Sequence, residues 1–140
     1  MRLPETLKNV LKISIVFLLF WLPAEVYAVC TVSGGGTICA GSSINLTYST
    51  SGSAAGGINW QYSPNGVSGW ANVVNGTPAG VSYSGNTTLI LAITTTGAAT
   101  PGTYYYRATH TTGTNCGAPY SSAAVSVTIV APPTSANAGS

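Results

Sequence analysis

The chain is expected to fold as an all-β domain, a sandwich of seven to eight short antiparallel strands, and three observations predict it. Apolar residues alternate with polar ones at period two in four separate runs. Clusters of Gly, Ser, Pro and Asn, the residues that let a chain turn tightly, separate those runs. Beyond residue 28 no stretch shows a helical period flanked by capping residues.

The elements follow in order. Residues 1–12 are positively biased, residues 13–22 form an apolar core, and Pro23 breaks it before Val26, Tyr27 and Ala28. This is the pattern of a secretory signal peptide, and cleavage is expected after Ala28. The apolar run of 10 residues is far short of the roughly 20 needed to cross a bilayer as a helix. A first, weak strand is expected over Cys30–Ser33. In the next, Ile44, Leu46 and Tyr48 share one face and Ser43, Asn45 and Thr47 the other. Ile58, Trp60 and Tyr62 alternate with Asn59, Gln61 and Ser63. Weaker strands are expected at 70–74 and 81–83. Leu89, Leu91 and Ile93 form a third apolar row. In 102–109, Tyr104, Tyr106 and Ala108 are expected to point inward. Val125, Val127 and Ile129 close the series against Ser126 and Thr128. Residues 132–140, rich in Pro, Ser, Ala and Gly, have the composition of a linker or loose tail.

Charge narrows the function classes sharply. The formal charge of +2 counts Arg2, Glu5, Lys8, Lys12 and Glu25, all within the leader. Past residue 25 the only charged side chain is Arg107, joined by the titratable His110. A nucleic-acid partner is excluded, because neutralising phosphates takes several Lys or Arg. Calcium between domains is excluded for want of carboxylates, and one His with three dispersed Cys has no zinc spacing. No cofactor is expected. His110 could serve as a base only without the Asp or Glu that usually orients it, so the exported part is not expected to be an enzyme.

Two segments resemble the immunoglobulin superfamily. Trp60 stands 14 residues after Leu46, about where the core tryptophan follows the first cysteine of an immunoglobulin domain. Leu91-Ala92-Ile93 and then Gly102-Thr103-Tyr104-Tyr105-Tyr106 look like the stretch from strand E to strand F with its tyrosine corner. The resemblance implies an immunoglobulin-like sandwich in which the Tyr104 hydroxyl bonds back to the backbone. Leu46 and Tyr106 occupy the places of the usual inter-sheet cysteines, and Thr100 stands where Asp is usual. A closer likeness is to the tandem immunoglobulin-like repeats of large bacterial surface and secreted proteins. It runs through residues 38–47, residues 60–66 with Trp70, residues 102–107, Cys116 and a Val-rich last strand. That likeness implies a secreted or cell-surface spacer or adhesin repeat whose partners are neighbouring repeats.

Three cysteines, Cys30, Cys39 and Cys116, follow the leader, and export makes a disulfide plausible. In the topology the resemblance implies, Cys30 and Cys116 lie at the pole where the chain enters the sandwich. Cys39 lies about 30 Å of extended chain further on. The implied pair is Cys30 with Cys116, with Cys39 unpaired and facing a neighbouring repeat; the absence of any pairing stays open.

A candidate binding surface remains. Alternation places Asn59 and Gln61 beside Thr103, Tyr105, Arg107 and Thr109 on the outer face of the C, F and G strands. Trp70 is available as a further stacking surface. An aromatic ring, a lone guanidinium and several amides could hold a glycan or a protein ligand, so a carbohydrate- or protein-binding module is the alternative function. The same residues also suit an ordinary polar sheet face with a Tyr–Arg stack. Asn45, Asn75 and Asn86 each begin an N-glycosylation pattern, which Thr-rich strands produce by chance. A fibre subunit that borrows its last strand fits poorly, since residues 122–130 supply one.

Overall fold

The computed structural model of the protein describes residues 30–50, 56–112, 116 and 120–133. The expected leader, its cleavage site and most of the expected tail lie outside the described residues. Within them the fold is all-β, with two sheets and no helix.

The first sheet has the order β1-β3-β7-β6, formed by Cys30–Ser33, Ser43–Thr50, Ile90–Thr95 and Val81–Ser84. The second has the order β2-β10-β8-β4-β5, formed by Gly36–Cys39, Val125–Val130, Gly102–Thr112, Gly56–Ser63 and Ala71–Asn72. The two-residue strand β9, Tyr120–Ser121, pairs with the far end of β8. The inward rows are Leu46 and Tyr48 on β3, Leu91 and Ile93 on β7, Ile58 and Trp60 on β4, Tyr104, Tyr106 and Ala108 on β8, and Val127 and Ile129 on β10. All are buried and belong to a single apolar cluster, as expected when two sheets bury their facing sides against each other.

Several expectations need correction. Not every pairing is antiparallel: β2 runs parallel to β10, with Gly36 opposite Val127 and Cys39 opposite Val130. The sequence hides β2 because this edge strand is exposed except at the half-buried Ile38, so it has no alternation to read. Leu89 does not join the third apolar row. It lies just before β7 and is exposed, and the row is completed by the buried Thr95. That hydroxyl accepts from the amides of Gly41 and Ser42 at 3.0 and 3.1 Å and donates to the Ser42 carbonyl at 2.8 Å. Those bonds satisfy the groups that burial would otherwise orphan. The strand expected at 70–74 is only Ala71–Asn72, because Val74 instead bridges Thr77 within a turn.

The Tyr104 hydroxyl donates to the Thr100 carbonyl at 3.0 Å, tying the start of β8 to the turn before it. Cys30 and Cys116 form a disulfide with Cα atoms 6.3 Å apart, inside the usual range. At this pole the Tyr120 hydroxyl also donates to the Cys30 carbonyl at 3.1 Å. From there β2 and β10 run together to the opposite pole, where the Ala40 amide donates to the Val130 carbonyl at 2.9 Å. The backbone therefore enters at one pole and leaves at the other. Cys39 is unpaired and exposed at the leaving pole.

One turn is sterically closed to any side chain. Gly80 has φ +78°, and a Cβ there would lie 2.6 Å from the Ala99 Cα. Left-handed backbone alone costs an L-residue roughly 1–2 kcal/mol. Gly80→Ala is therefore expected to destabilise the domain by about 2 kcal/mol or more, read as a lowered urea midpoint with unchanged slope.

Candidate functional site

The outer face of the second sheet carries the cluster with the most distinctive chemistry. Strand register assembles it. Gln61 on β4 is the cross-strand partner of Arg107 on β8 and also of Asn72 on β5, so the three side chains share one face in a single row. The Arg107 Nε donates to the Gln61 Oε1 at 2.9 Å, and the Gln61 Nε2 donates weakly to the Asn72 Oδ1 at 3.5 Å. Trp70, just before β5, lies against the guanidinium, whose Cζ is 4.2 Å from the ring centroid. Such a cation–π contact contributes about 0.5–1 kcal/mol at an accessible site.

The neighbouring half of the face is covered. Ser63 keeps to the alternation at the end of β4, yet it is fully buried because residues 64–69 fold back over it. Its Oγ accepts from the Gly66 amide at 3.0 Å and donates to the Ser68 carbonyl at 2.6 Å. Asn65 Oδ1 accepts from the amides of Val67 and Ser68, each at 2.9 Å. Gly66 then packs so closely on Tyr105 that a Cβ would sit 2.8 Å from its ring. Of the expected face, Gln61, Trp70 and Arg107 come together as one group. Tyr105 lies beneath the loop, and Asn59 turns aside, with its Nδ2 3.4 Å from the Gly57 carbonyl. The guanidinium stacks on Trp70, where the bland expectation had a Tyr–Arg stack.

Electrostatically the cluster is one-sided. Arg107 is the only Lys, Arg, Asp or Glu past residue 25, so its charge has no carboxylate counter-ion in this part of the chain. Partial burial holds its pKa below the usual arginine value without approaching neutrality.

His110 is enclosed by the sandwich. It is 2 % exposed and lies on β8, which runs on to Thr112 because Tyr120 pairs with His110 and Ser121 with Thr109. Its Nδ1 is 2.8 Å from the Tyr48 hydroxyl, and the Tyr120 ring stacks on it at a centroid distance of 5.3 Å. These contacts join the two sheets, a packing role that the short polar run around His110 conceals. Among the described residues no group of three or more His, Cys, Asp and Glu comes together as a metal site.

A second polar knot lies in the core. The Tyr83 hydroxyl donates to the Thr77 carbonyl at 2.8 Å and sits 3.1 Å from the Tyr106 hydroxyl. Burial is the main cause that pushes Tyr106 up to about 12 and Tyr83 higher still. A phenol whose folded pKa exceeds its unfolded value keeps its full contribution below that unfolded value, about 10. The contribution is lost as pH rises toward the folded pKa. Alkaline unfolding is therefore expected between pH 10 and about 12, with about 3 kcal/mol lost through Tyr106 alone. Tyrosinate absorbance should rise together with loss of tertiary signal, and Tyr106→Phe should flatten the pH dependence.

The sequence matches no family model, and no curated protein is detectably similar to it. The function must therefore be read from the fold and this surface.

Proposed function

We propose that this chain is an exported, non-catalytic immunoglobulin-like module that serves as a spacer or adhesin repeat of a larger surface or secreted protein. The observation that carries the reading is the placement of the two ends at opposite poles, Cys30 beside Cys116 and Tyr120, and Val130 beside Ala40. A module built this way lengthens an array when copies are joined head to tail. The strand orders support the immunoglobulin-like assignment. The first sheet corresponds to strands A, B, E and D, and the second to A′, G, F, C and C′. The Tyr104 bond to Thr100 matches a tyrosine corner. The Cys30–Cys116 disulfide fits an oxidising destination, in keeping with a cleavable leader over residues 1–28.

The test is the size of the exported polypeptide, detected with an antibody against residues 29–131. A band several domains in length is expected. A band near 11 kDa, roughly what about 110 residues weigh, would remove the repeat reading and leave direct binding as the function. One observation favours that second reading, a binding module on the outer face of the C, F and G strands. It is the uncompensated Arg107 held beside Trp70.

A further inference from the structure

The geometry points to a docking site for a sugar carboxylate at Arg107, Trp70 and Gln61, on the outer face of β4 and β8. The inference concerns this surface alone and does not depend on the repeat reading. Two contacts orient the guanidinium. Gln61 takes Nε, and Trp70 takes one face of the plane. Among the described residues no acceptor engages the two terminal nitrogens, and no buried side-chain nitrogen lacks a partner. Those nitrogens therefore meet solvent with their donors aimed as a fork. A planar fork of this kind matches a carboxylate bidentately.

The charge count decides for a single anionic group. One guanidinium with no carboxylate past residue 25 balances a monoanion, whereas a polyphosphate chain would call for several cations. Holding an uncompensated cation partly out of water is unfavourable, and an incoming anion relieves that cost. The surroundings decide for a sugar. Gln61 and Asn72 offer amides to hydroxyl groups, and the half-buried Trp70 ring offers an apolar edge to sugar C–H groups. A protein interface would instead surround such an Arg–Trp pair with a wider apolar patch that excludes water. Among the described residues the exposed large aliphatic side chains, Val67, Val74, Leu89, Ile90 and Val130, include none on β4 or β8.

The experiment follows the indole N–H resonances of the exported chain by NMR. The probes are an oligogalacturonate, a sialylated trisaccharide, a carboxyl-reduced oligogalacturonate and a Glu-rich peptide. Trp60 is the internal control, because its Nε1 is sealed in the core on the Thr88 carbonyl at 2.9 Å. The Trp70 signal should shift saturably with an acidic sugar, and the arm that saturates tells uronate from sialate. The carboxyl-reduced sugar should leave it unmoved. Arg107→Lys keeps the charge but loses the fork, and should weaken binding roughly tenfold or more. Arg107→Gln should abolish it, with the Trp60 signal unchanged in both variants. An equal response to the reduced sugar, no saturable shift with either acidic sugar, or a shift with the peptide alone would each overturn the proposal.

Discussion

Trp60→Ala is expected to cost about 3–5 kcal/mol, the usual range for deleting a fully buried aromatic ring. For a domain of this size that is a large fraction of a total near 5–15 kcal/mol. The ring is 1 % exposed, and its strand is held on both sides. β8 pairs with one edge of β4, while along the other the Val73 amide donates to the Trp60 carbonyl and the Trp60 amide to the Asn86 carbonyl, both at 3.0 Å. The backbone therefore has little freedom to collapse into the space left behind. The substitution also strips the Thr88 carbonyl of its indole donor, a bond that crosses from the second sheet toward the first. Trp60→Phe separates the two effects: it retains most of the packing and should lose only about 1–2 kcal/mol. Urea titration followed by circular dichroism would measure both. Equal losses for the two variants would show that the indole N–H, and not the volume, carries the stability.

Removing the disulfide is the second large change. Cys30 and Cys116 are 86 residues apart, and constraining a loop that long is worth about 4–5 kcal/mol in the chain-entropy description. The Cys30→Ala, Cys116→Ala double variant should unfold at a much lower denaturant concentration. The single Cys39→Ser variant should match the parent within about 0.5 kcal/mol, because that thiol is exposed and unpaired. A double variant as stable as the parent would mean that β1 and β9 hold together by packing and by the Tyr120 bond alone.

How much of this could be read beforehand varies from strand to strand. β3, β4, β8 and β10 were legible because each buries one face, so that period two is written directly into its residues. β2 was not, since an exposed edge strand leaves only backbone pairing to hold it. The buried Thr95, Ser63 and His110 were missed for a shared reason. Each polar side chain is tolerated inside because its burial comes with hydrogen-bond partners: distant segments supply those of Thr95 and His110, and the 64–69 loop folding back supplies those of Ser63, none of which period-two alternation registers. At the candidate site the pairing of Gln61 with Arg107 was within reach of alternation. The approach of Trp70 to the guanidinium was not, because the 64–69 loop delivers it there.

The disulfide also determines how the domain would behave as a tether under tension. Pulled by its two ends, the chain transmits force from Cys30 through the sulfur atoms directly to Cys116, and on to Val130. Only the 14 residue steps from 116 to 130 lie on that covalent path, against 100 from 30 to 130. At about 3.3–3.6 Å per residue, complete unravelling would lengthen the oxidised domain to no more than about 50 Å, and the reduced one to about 350 Å. The residues between the cysteines, including most of both sheets, form a closed loop that carries no load. Single-molecule stretching with and without reductant should show this sevenfold difference in contour length. In the oxidised state a string of such modules would behave as a cord that hardly stretches, with β10 as the segment under strain.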